Sequence, residues 1–382
     1  MACKYAKYCG GCSLQHLSYE NQLKEKQKYM ESLLSRFHRV NKIIGCRNNE
    51  HYRNKMQVSF GKDERGRAIY GNYIPSTHFI VPFDECLIND EEANSIIKTV
   101  RELIDKYHIS VFDENVYKGC IRHIQIRCTS TDEYMVIFVT GSPVLYKKEL
   151  LIKDLIRKHP KIKTVIHNIN SAHTSMVLGD KSYVIYGKGY IRDVLCGLKF
   201  NLSASSFYQI NKYQTEVLYN TAIQLAEFKG SETVIDAYSG IGTISLCLAS
   251  KVKEVIGVEI NEQAVRDAIR NAKLNDVTNV KFIADDAGRF MEKLSRNRKA
   301  HVDALVMDPP RSGASDRFLK SVLKLSPEKI VYISCGPESL KSNLGFLVKN
   351  GYVIKVIQPV DMFPHTDIKH TENIVILKRK EF

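Results

Sequence analysis

The sequence predicts an α/β protein whose carboxyl-terminal half is a doubly wound, largely parallel sheet. Beyond Gly230, short apolar runs alternate with amphipathic helical stretches, which is the rhythm of strand-helix-strand units. The first of these strands ends in a glycine turn that opens a helix. From about His51 to Phe200 the pattern is mixed instead, which predicts a separate α/β domain. Internal repeats and low-complexity tracts are absent from the sequence, so folded domains are expected throughout.

The elements follow from periodicity, in chain order. An amphipathic helix is predicted over Tyr19–Ser35, and the middle region carries strand-like runs at Met56–Phe60 and Ile121–Arg127 and a helix at Glu91–Tyr107. The strands predicted for the carboxyl-terminal sheet are Thr233–Asp236, Val255–Val258, Val280–Ile283, Ala304–Met307 and Ile330–Ser334. Two last apolar runs, Tyr352–Ile357 and Asn373–Leu377, have no clear helix between them and predict an antiparallel pair at one edge.

Composition narrows the class of partner. The 382 residues carry a formal net charge of +14, which favours a polyanionic partner such as nucleic acid over a merely basic soluble protein. The sequence contains neither an apolar run of the roughly 20 residues that a membrane span needs nor a signal peptide. We therefore expect a cytoplasmic protein without a membrane association, and no obligate protein partner is evident. Ten cysteines in a reducing compartment indicate metal binding or catalysis rather than disulfides.

The glycine turn predicts a nucleotide-type ligand. Residues 234–243 place a strand, then Gly240 and Gly242, then a helix, and glycine lets a ligand approach the backbone closely. Glu259 ends the next strand, where a carboxylate can bind both ribose hydroxyls. A dinucleotide enzyme would show a third glycine where Ser245 stands, so an adenosyl ligand is favoured over NAD.

Candidate catalytic residues lie after two further predicted strands and at the end of one loop. Residues 308–313 read Asp-Pro-Pro-Arg-Ser-Gly, and an arginine stands where amine methylases have a stacking aromatic residue. Cys335 follows the strand Ile330–Ser334 and is predicted to face the ligand crevice, the alternative being a buried structural cysteine. Glu372 begins the last strand, where a surface carboxylate is the common alternative, with His365 and His370 close by in sequence.

The carboxyl-terminal half resembles the class I methyltransferases that use S-adenosylmethionine. The resemblance implies that Asp236 and the glycine loop face the methionine moiety and Glu259 the ribose. It assigns the adenine to Asp286, with Asp285 as a close competitor.

Together, the Asp-Pro-Pro-Arg-x-Gly, Ser-Cys-x-Pro and Phe-Pro-His-Thr…His-x-Glu motifs closely resemble the RNA uracil-5-methyltransferases over nearly the whole chain. The resemblance implies Cys335 as the nucleophile that adds to C6 of uracil and activates C5, and Glu372 as the base that removes the C5 proton. Phe207 is placed near a flipped base. The cofactor contacts that it adds are Gln209, Tyr238, Thr243 and Asp308. RNA cytosine-5 methyltransferases place a cysteine in the Pro-Pro region, and none lies between Asp308 and Gly313, so uracil is favoured.

Three cysteines near the start, Cys3, Cys9 and Cys12, form a Cys-x5-Cys-Gly-Gly-Cys motif. The spacing of these cysteines favours zinc and an iron-sulfur cluster about equally, since both accept four thiolate ligands. The family resemblance favours a 4Fe-4S cluster and implies Cys86 as the fourth ligand. The remaining cysteines, Cys46, Cys120, Cys128, Cys196 and Cys247, are predicted to be ordinary core or loop residues.

The predicted division is an iron-sulfur segment at 1–45, a central RNA-binding domain at 46–205 and a methyltransferase domain at 206–382. Many relatives carry a small β-barrel ahead of the cysteines, which start here at Cys3, so RNA contacts are expected from the central domain. The cysteine motif favours 23S ribosomal RNA over transfer RNA as substrate. The alternatives are a transfer RNA enzyme, a zinc-bearing methylase, and an RNA-binding iron-sulfur protein without turnover. The residues that we expect to contact RNA are residues 51–55, Arg122, His123 and Arg127.

Overall fold

The computed structural model describes residues 3–74, 77, 79–297 and 300–380. Two helices come first, α1 (Ala6–Cys9) and α2 (Tyr19–Leu34). Helix α2 begins at Ser18, whose side chain accepts a hydrogen bond from the Asn21 amide, as an N-cap serine does. Its buried face, Gln22, Lys26, Met30 and Leu34, repeats every four residues and packs on the carboxyl-terminal sheet.

The central region is a seven-stranded sheet with two helices. Its elements are β1 (Lys55–Lys62), β2 (Ala68–Tyr73), β3 (Ile80–Pro82), α3 (Glu91–Lys106), β4 (Ile121–Cys128), β5 (Tyr134–Thr140), α4 (Lys148–Lys158), β6 (Ile162–Ile169) and β7 (Lys181–Gly187). The strand order is β3-β2-β1-β4-β5-β6-β7, antiparallel throughout except between β5 and β6. Strands β4 and β5 are buried along their whole length, so both faces of this sheet are covered at its centre.

A hairpin and a second seven-stranded sheet complete the chain. The elements are β8 (Tyr190–Leu195), β9 (Leu198–Ser203), α5 (Gln214–Ala226), β10 (Thr233–Ala237), α6 (Thr243–Ala249), β11 (Glu254–Glu259), α7 (Glu262–Leu274), β12 (Val280–Ala284), α8 (Ala287–Arg296), β13 (Ala304–Met307), α9 (Asp316–Leu325), β14 (Lys329–Ser334), α10 (Pro337–Lys349), β15 (Tyr352–Val360) and β16 (Glu372–Arg379). The sheet order is β12-β11-β10-β13-β14-β16-β15. This confirms the predicted parallel sheet and the antiparallel pair at its edge.

One edge of this second sheet collects the residues of interest. Strands β10, β11, β13 and β14 are parallel, so their carboxyl ends meet at one edge of the sheet. Strand β16 is antiparallel to β14 and pairs Asn373 with Ser334, so its first residue, Glu372, lies at the same edge. Residues Asp236, Glu259, Asp308, Cys335 and Glu372 therefore converge there.

One apolar cluster joins the two halves of the molecule. Met135 and Ile137 of β5 belong to the same buried cluster as the β8–β9 hairpin and strands β10 and β14. The hairpin thus lies between the two sheets, and the predicted boundaries at 45/46 and 205/206 stay predictions. Among the described residues, no helix combines the length and the apolar character that crossing a membrane requires.

Candidate active site

The glycine loop connects β10 to α6 and rests on the end of β11. Gly240 and Gly242 have φ values of 55° and 82°, a conformation that favours glycine. The Gly240 amide donates a hydrogen bond of 3.1 Å to Glu259 Oε2. A Cβ atom on Gly242 would lie 2.6 Å from Phe282 Cζ, so only glycine fits this close approach. The loop therefore presents its backbone at the sheet edge with no side chain in the way.

Beneath the loop, Asp236 is fully buried at the end of β10. Burial, with a smaller contribution from the Glu259 carboxylate, raises the pKa of its carboxyl to about 7, and the hydrogen bonds from Ser245 oppose this. Ser245 Oγ donates a 2.5 Å hydrogen bond to Asp236 Oδ2. Within the described part of the chain, Asp236 Oδ1 and Ser239 Oγ are buried without a hydrogen-bond partner. Buried polar atoms without partners are costly, so these two fit a polar ligand that supplies the missing bonds.

The predicted ribose and adenine residues lie beyond the loop. Glu259 also accepts a 2.8 Å hydrogen bond from the Asn261 amide, which fixes its carboxylate at the start of α7. Asp286 is the N-cap of α8, and its charge adds to the burial that raises the pKa of Tyr238 to about 12. Asp285 is instead ion-paired with Arg289 and with Lys293. Of the two aspartates, Asp286 is therefore the one whose carboxylate is not held in an ion pair with these cations.

A cleft of about 120 Å³ lies next to the loop, lined in part by Ser206, Phe207, Gly240 and Glu259. Phe207 is 66% exposed at its mouth. Gln209 is buried, and its carbonyl accepts a hydrogen bond of 2.9 Å from Asn54 Nδ2. The hydroxyl of Thr243 lies 3.2 Å from that of Tyr219. Residues 205–207 thus form one wall of the candidate cofactor cleft.

Cys335, Glu372 and Asp308 are electrostatic neighbours. Burial, together with the Glu372 and Asp308 carboxylates, raises the pKa of the Cys335 thiol to about 12, and the Arg311 guanidinium opposes them. Burial and Asp308 likewise hold the pKa of Glu372 well above its usual range. Glu372 is only 2% exposed, and within the described residues its Oε2 has no partner. The predicted nucleophile and base therefore lie close together, Glu372 being buried and Cys335 partly exposed.

A cavity of about 530 Å³ opens onto Cys335, and Arg311, Lys369 and His370 also line it. We call it the catalytic cavity. The N-terminal segment also contributes to its lining, with Gly10, Gly11, Ser13 and Tyr29. The cavity is large enough for a nucleotide and is accessible from solvent.

The loop that leads into Glu372 is anchored to helix α2. Lys26 and Asp361 form an ion pair of 2.6 Å, both side chains being 0% exposed. Lys26 Nζ also donates to the Phe363 carbonyl at 2.8 Å. Gln22 bonds both the ring and the amide of His365, and Tyr19 donates to Asp361 at 2.9 Å. Sequence reasoning missed this set, although Lys26 shares the four-residue spacing of Met30 and Leu34.

Comparison of the sequence with known proteins shows the family of this chain. The sequence model of the tRNA (uracil-5-)-methyltransferases matches residues 18–380. The chain belongs to this methyltransferase family. It is 40% identical over 385 residues to an uncharacterized RNA methyltransferase of Bacillus cereus, covering 99% of this chain and 83% of the relative. It is 42% identical over 384 residues to one of Halalkalibacterium halodurans, with the same coverage of both chains.

A solved structure resembles the whole methyltransferase chain. The tRNA (uracil-54, C5)-methyltransferase of Pyrococcus abyssi, in complex with S-adenosyl-L-homocysteine, superimposes with a TM-score of 0.79 at 28% identity. The match covers 96% of this chain and 85% of that one. The likeness therefore includes the central sheet and the N-terminal helix as well as the methyltransferase sheet.

The four cysteines predicted as cluster ligands are close to one another in this methyltransferase. Burial raises the pKa of the Cys12 thiol to about 12, and the charges of Cys86, Cys9 and Cys3 act on it in the same direction. Cys9 Sγ accepts a 3.2 Å hydrogen bond from Asn72. In residues 3–74, 77, 79–297 and 300–380, no group of three or more His, Cys, Asp or Glu side chains is arranged to hold a metal ion. The donor chemistry fits a thiolate-bound cluster, while a preformed metal site is not seen.

Most of the RNA contacts predicted for the central domain are wrong. Arg122 is 4% exposed and ion-paired with Glu114, and it also donates to the carbonyls of Asn170 and Ala172. Arg127 is 2% exposed and bonds the Ser203 and Ser206 carbonyls. The other predicted contacts that are buried are Tyr52, Asn54 and His123. Arg122 and His123 are bonded within the central domain, whereas Arg127, Tyr52 and Asn54 bond later segments of the chain. These buried side chains are not available to RNA.

Proposed function

We propose that this methyltransferase uses S-adenosylmethionine to methylate C5 of a uridine in RNA, with Cys335 as nucleophile and Glu372 as base. The observation that carries the proposal is the convergence of Cys335, Glu372 and Asp308 at one sheet edge, beside a cavity of about 530 Å³. S-adenosylmethionine, when bound, supplies the electrophilic methyl group that the activated C5 takes. The residues that we propose to bind S-adenosylmethionine are Gln209, Asp236, Tyr238, Thr243, Glu259, Asp286 and Asp308.

Cys335 has to lose its proton as it attacks. Since burial and two carboxylates raise the pKa of its thiol to about 12, the thiolate does not accumulate in the free protein at neutral pH. The neighbouring carboxylate of Asp308 accepts the thiol proton while the sulfur-C6 bond forms, which leaves Glu372 ionised for its later step. The electron pair of the C5–C6 double bond then makes C5 nucleophilic.

Glu372 completes the cycle after methylation. It takes the remaining proton from C5, the C5–C6 double bond forms again, and the thiolate of Cys335 leaves C6. The raised pKa of this carboxyl makes its ionised form a stronger base than an exposed glutamate. Because Glu372 Oε2 has no partner within the described residues, it is free to accept this proton.

The mechanism is tested by trapping the adduct. Glu372→Gln should accumulate a protein-RNA species that persists in denaturing gels, because the thiolate cannot leave while the C5 proton stays. Cys335→Ala should form no such species and should release no tritium from RNA labelled at C5 of uridine, while still binding S-adenosylmethionine. Turnover by Cys335→Ala would refute the nucleophile, and prompt release of RNA from Glu372→Gln would refute the base.

We propose 23S ribosomal RNA as the substrate, with transfer RNA as the second candidate. The four neighbouring cysteines support the first, since the family resemblance associates them with ribosomal RNA enzymes. The structural likeness to a Pyrococcus tRNA enzyme favours the second. Mapping 5-methyluridine in both RNA classes from a deletion strain separates them, because only the true substrate loses the modification.

We also propose that Cys3, Cys9, Cys12 and Cys86 hold a 4Fe-4S cluster. Methyl transfer needs no electrons, so the role is to shape the segment whose Gly10 and Gly11 line the catalytic cavity. An anaerobic preparation should be brown and contain iron and acid-labile sulfide, and Cys86→Ser should lower both. Stoichiometric zinc without sulfide would refute the cluster.

A further inference from the structure

The turn that follows helix α2 carries unpaired positive charge. Arg36, Arg39 and Lys42 are exposed, and His38 is half-buried among them; we call residues 35–42 the basic turn. In the part of the chain that the structure describes, none of these cations forms a salt bridge. The lysines of α2 itself differ, since Lys24 pairs with Glu20 and Lys28 with Glu25.

The basic turn is held rigidly on the methyltransferase sheet. The Asn41 amide donates to the Ile357 carbonyl of β15 at 2.9 Å, next to a parallel bridge between Val40 and Ile357. Gln27 of α2 donates to the Asn41 carbonyl at 3.2 Å and accepts from the Ile43 amide at 2.8 Å. Its cations are therefore presented from a fixed backbone, which limits the entropy lost on binding.

The basic turn borders a shallow depression of about 500 Å³. Arg39, Lys42 and Ser35 contribute cations and a hydroxyl, and Gln27 contributes an amide. The single carboxylate in the lining, Glu31, accepts a 2.8 Å hydrogen bond from Gln27. The depression is lined by polar groups with an excess of positive charge, which suits an anionic partner.

Helix α2 links this depression to the catalytic cavity. Tyr29 lines that cavity and donates a 2.9 Å hydrogen bond to Glu338 on its rim. Tyr29 stands five residues before Leu34, the last residue of α2, so about 7.5 Å of helix separates Tyr29 from the start of the basic turn. The basic turn is therefore close enough to the catalytic cavity to contact a strand whose base enters it.

We propose that the basic turn binds the phosphates of the RNA strand that flanks the target uridine. This rests on the proposed function, because it takes the polyanion at this surface to be the substrate of the neighbouring cavity. Arginine and lysine at the turn release counterions from the phosphates, which gives affinity without reading sequence. The turn thus contributes to RNA affinity and to KM, and the chemistry at Cys335 is independent of it.

The test compares two triple variants of the full chain. R36A/R39A/K42A removes the cations of the basic turn, and K153A/K273A/K320A removes the same charge from exposed lysines on α4, α7 and α9. Affinity for fluorescein-labelled oligouridylate is measured by anisotropy over a range of salt concentrations. Methylation kinetics use total RNA from cells that lack the enzyme, and thermal unfolding checks that both variants are folded.

We expect the basic-turn variant to bind oligouridylate at least about tenfold more weakly. The slope of log affinity against log salt should become shallower by about 2, because each of the three lost phosphate contacts contributes about 0.7. KM for RNA should rise with kcat at saturating RNA retained, and the control triple should behave as wild type. Equal losses in both triples, or an unchanged salt slope, would overturn the inference. A wild-type protein that binds oligouridylate through the turn but methylates no RNA would refute the proposed function alone.

Discussion

The buried ion pair between Lys26 and Asp361 makes a sharp prediction about the loop before Glu372. Both side chains are 0% exposed and their charged atoms lie 2.6 Å apart. Replacing Lys26 by methionine keeps the side-chain length and leaves the Asp361 carboxylate buried without its cation. Loss of one partner of a buried pair costs about 3–5 kcal/mol. With an unfolding entropy of about 2.1 cal/mol/K per residue over 382 residues, the unfolding temperature should fall by about 4–6 °C.

The matched control is Lys28→Met on the same helix. Lys28 is 70% exposed and paired with Glu25, so its replacement should cost no more than about 1 kcal/mol. Differential scanning calorimetry gives the unfolding temperatures of both variants. The double variant K26M/D361N should be more stable than K26M, because the lone buried carboxylate is gone.

Turnover gives the second readout for this pair. Because the loop leads directly into Glu372, Lys26→Met should lower kcat, whereas binding of S-adenosylmethionine at the glycine loop should persist, as calorimetric titration can measure. The reasoning is refuted if Lys26→Met is as stable and as active as Lys28→Met. It is also refuted if the double variant is no more stable than Lys26→Met.

Three further predictions follow from single contacts. Burial raises the pKa of Asp308 from 3.8 to about 7, so the folded protein loses stability as pH rises and this carboxyl has to ionise. The variant Asp308→Asn should therefore unfold at a higher temperature than wild type at about pH 8 and at the same temperature near pH 4. A difference in unfolding temperature that does not change with pH would contradict this. Gly242→Ala would bring a Cβ 2.6 Å from Phe282 Cζ and should weaken S-adenosylmethionine binding, whereas Gly230→Ala, also at positive φ but with nothing within 4 Å, should not. Arg122→Ala should lower the unfolding temperature without changing the RNA affinity of the folded protein, and a loss of affinity alone would restore Arg122 as an RNA contact.

The methyltransferase sheet was predictable because its signal is local. Each parallel strand is a short apolar run, and Ala304–Met307 was predicted with the bounds that the structure shows. The residues at the strand ends were predictable for the same reason, since a parallel sheet brings its carboxyl ends to one edge. The antiparallel pair was also correct, but periodicity gave no indication that β16 lies between β14 and β15. That order places Glu372 beside Cys335.

Most of the RNA contacts predicted for the central domain are wrong because the second face of its sheet is covered. The run Ile121–Arg127 alternates apolar and polar residues, which ordinarily marks a strand with one solvated face. Here Arg122 and Arg127 instead donate to carbonyls of the segments at 170–172 and 203–206. A buried arginine that satisfies several carbonyls has the same sequence pattern as an exposed one, and only the tertiary arrangement distinguishes them.

Helix α2 belongs to the predicted N-terminal segment but packs on the carboxyl-terminal sheet. Met30 and Leu34 complete the apolar cluster around β13 and β14, and Lys26 neutralises Asp361. The segment before it supplies Gly10 and Gly11 to the catalytic cavity. Residues 206–382 by themselves would therefore expose part of their own core and leave a buried carboxylate without its cation. The N-terminal segment is thus a structural part of the proposed catalytic site, because the loop that leads into the proposed base, Glu372, is held through contacts that this segment makes.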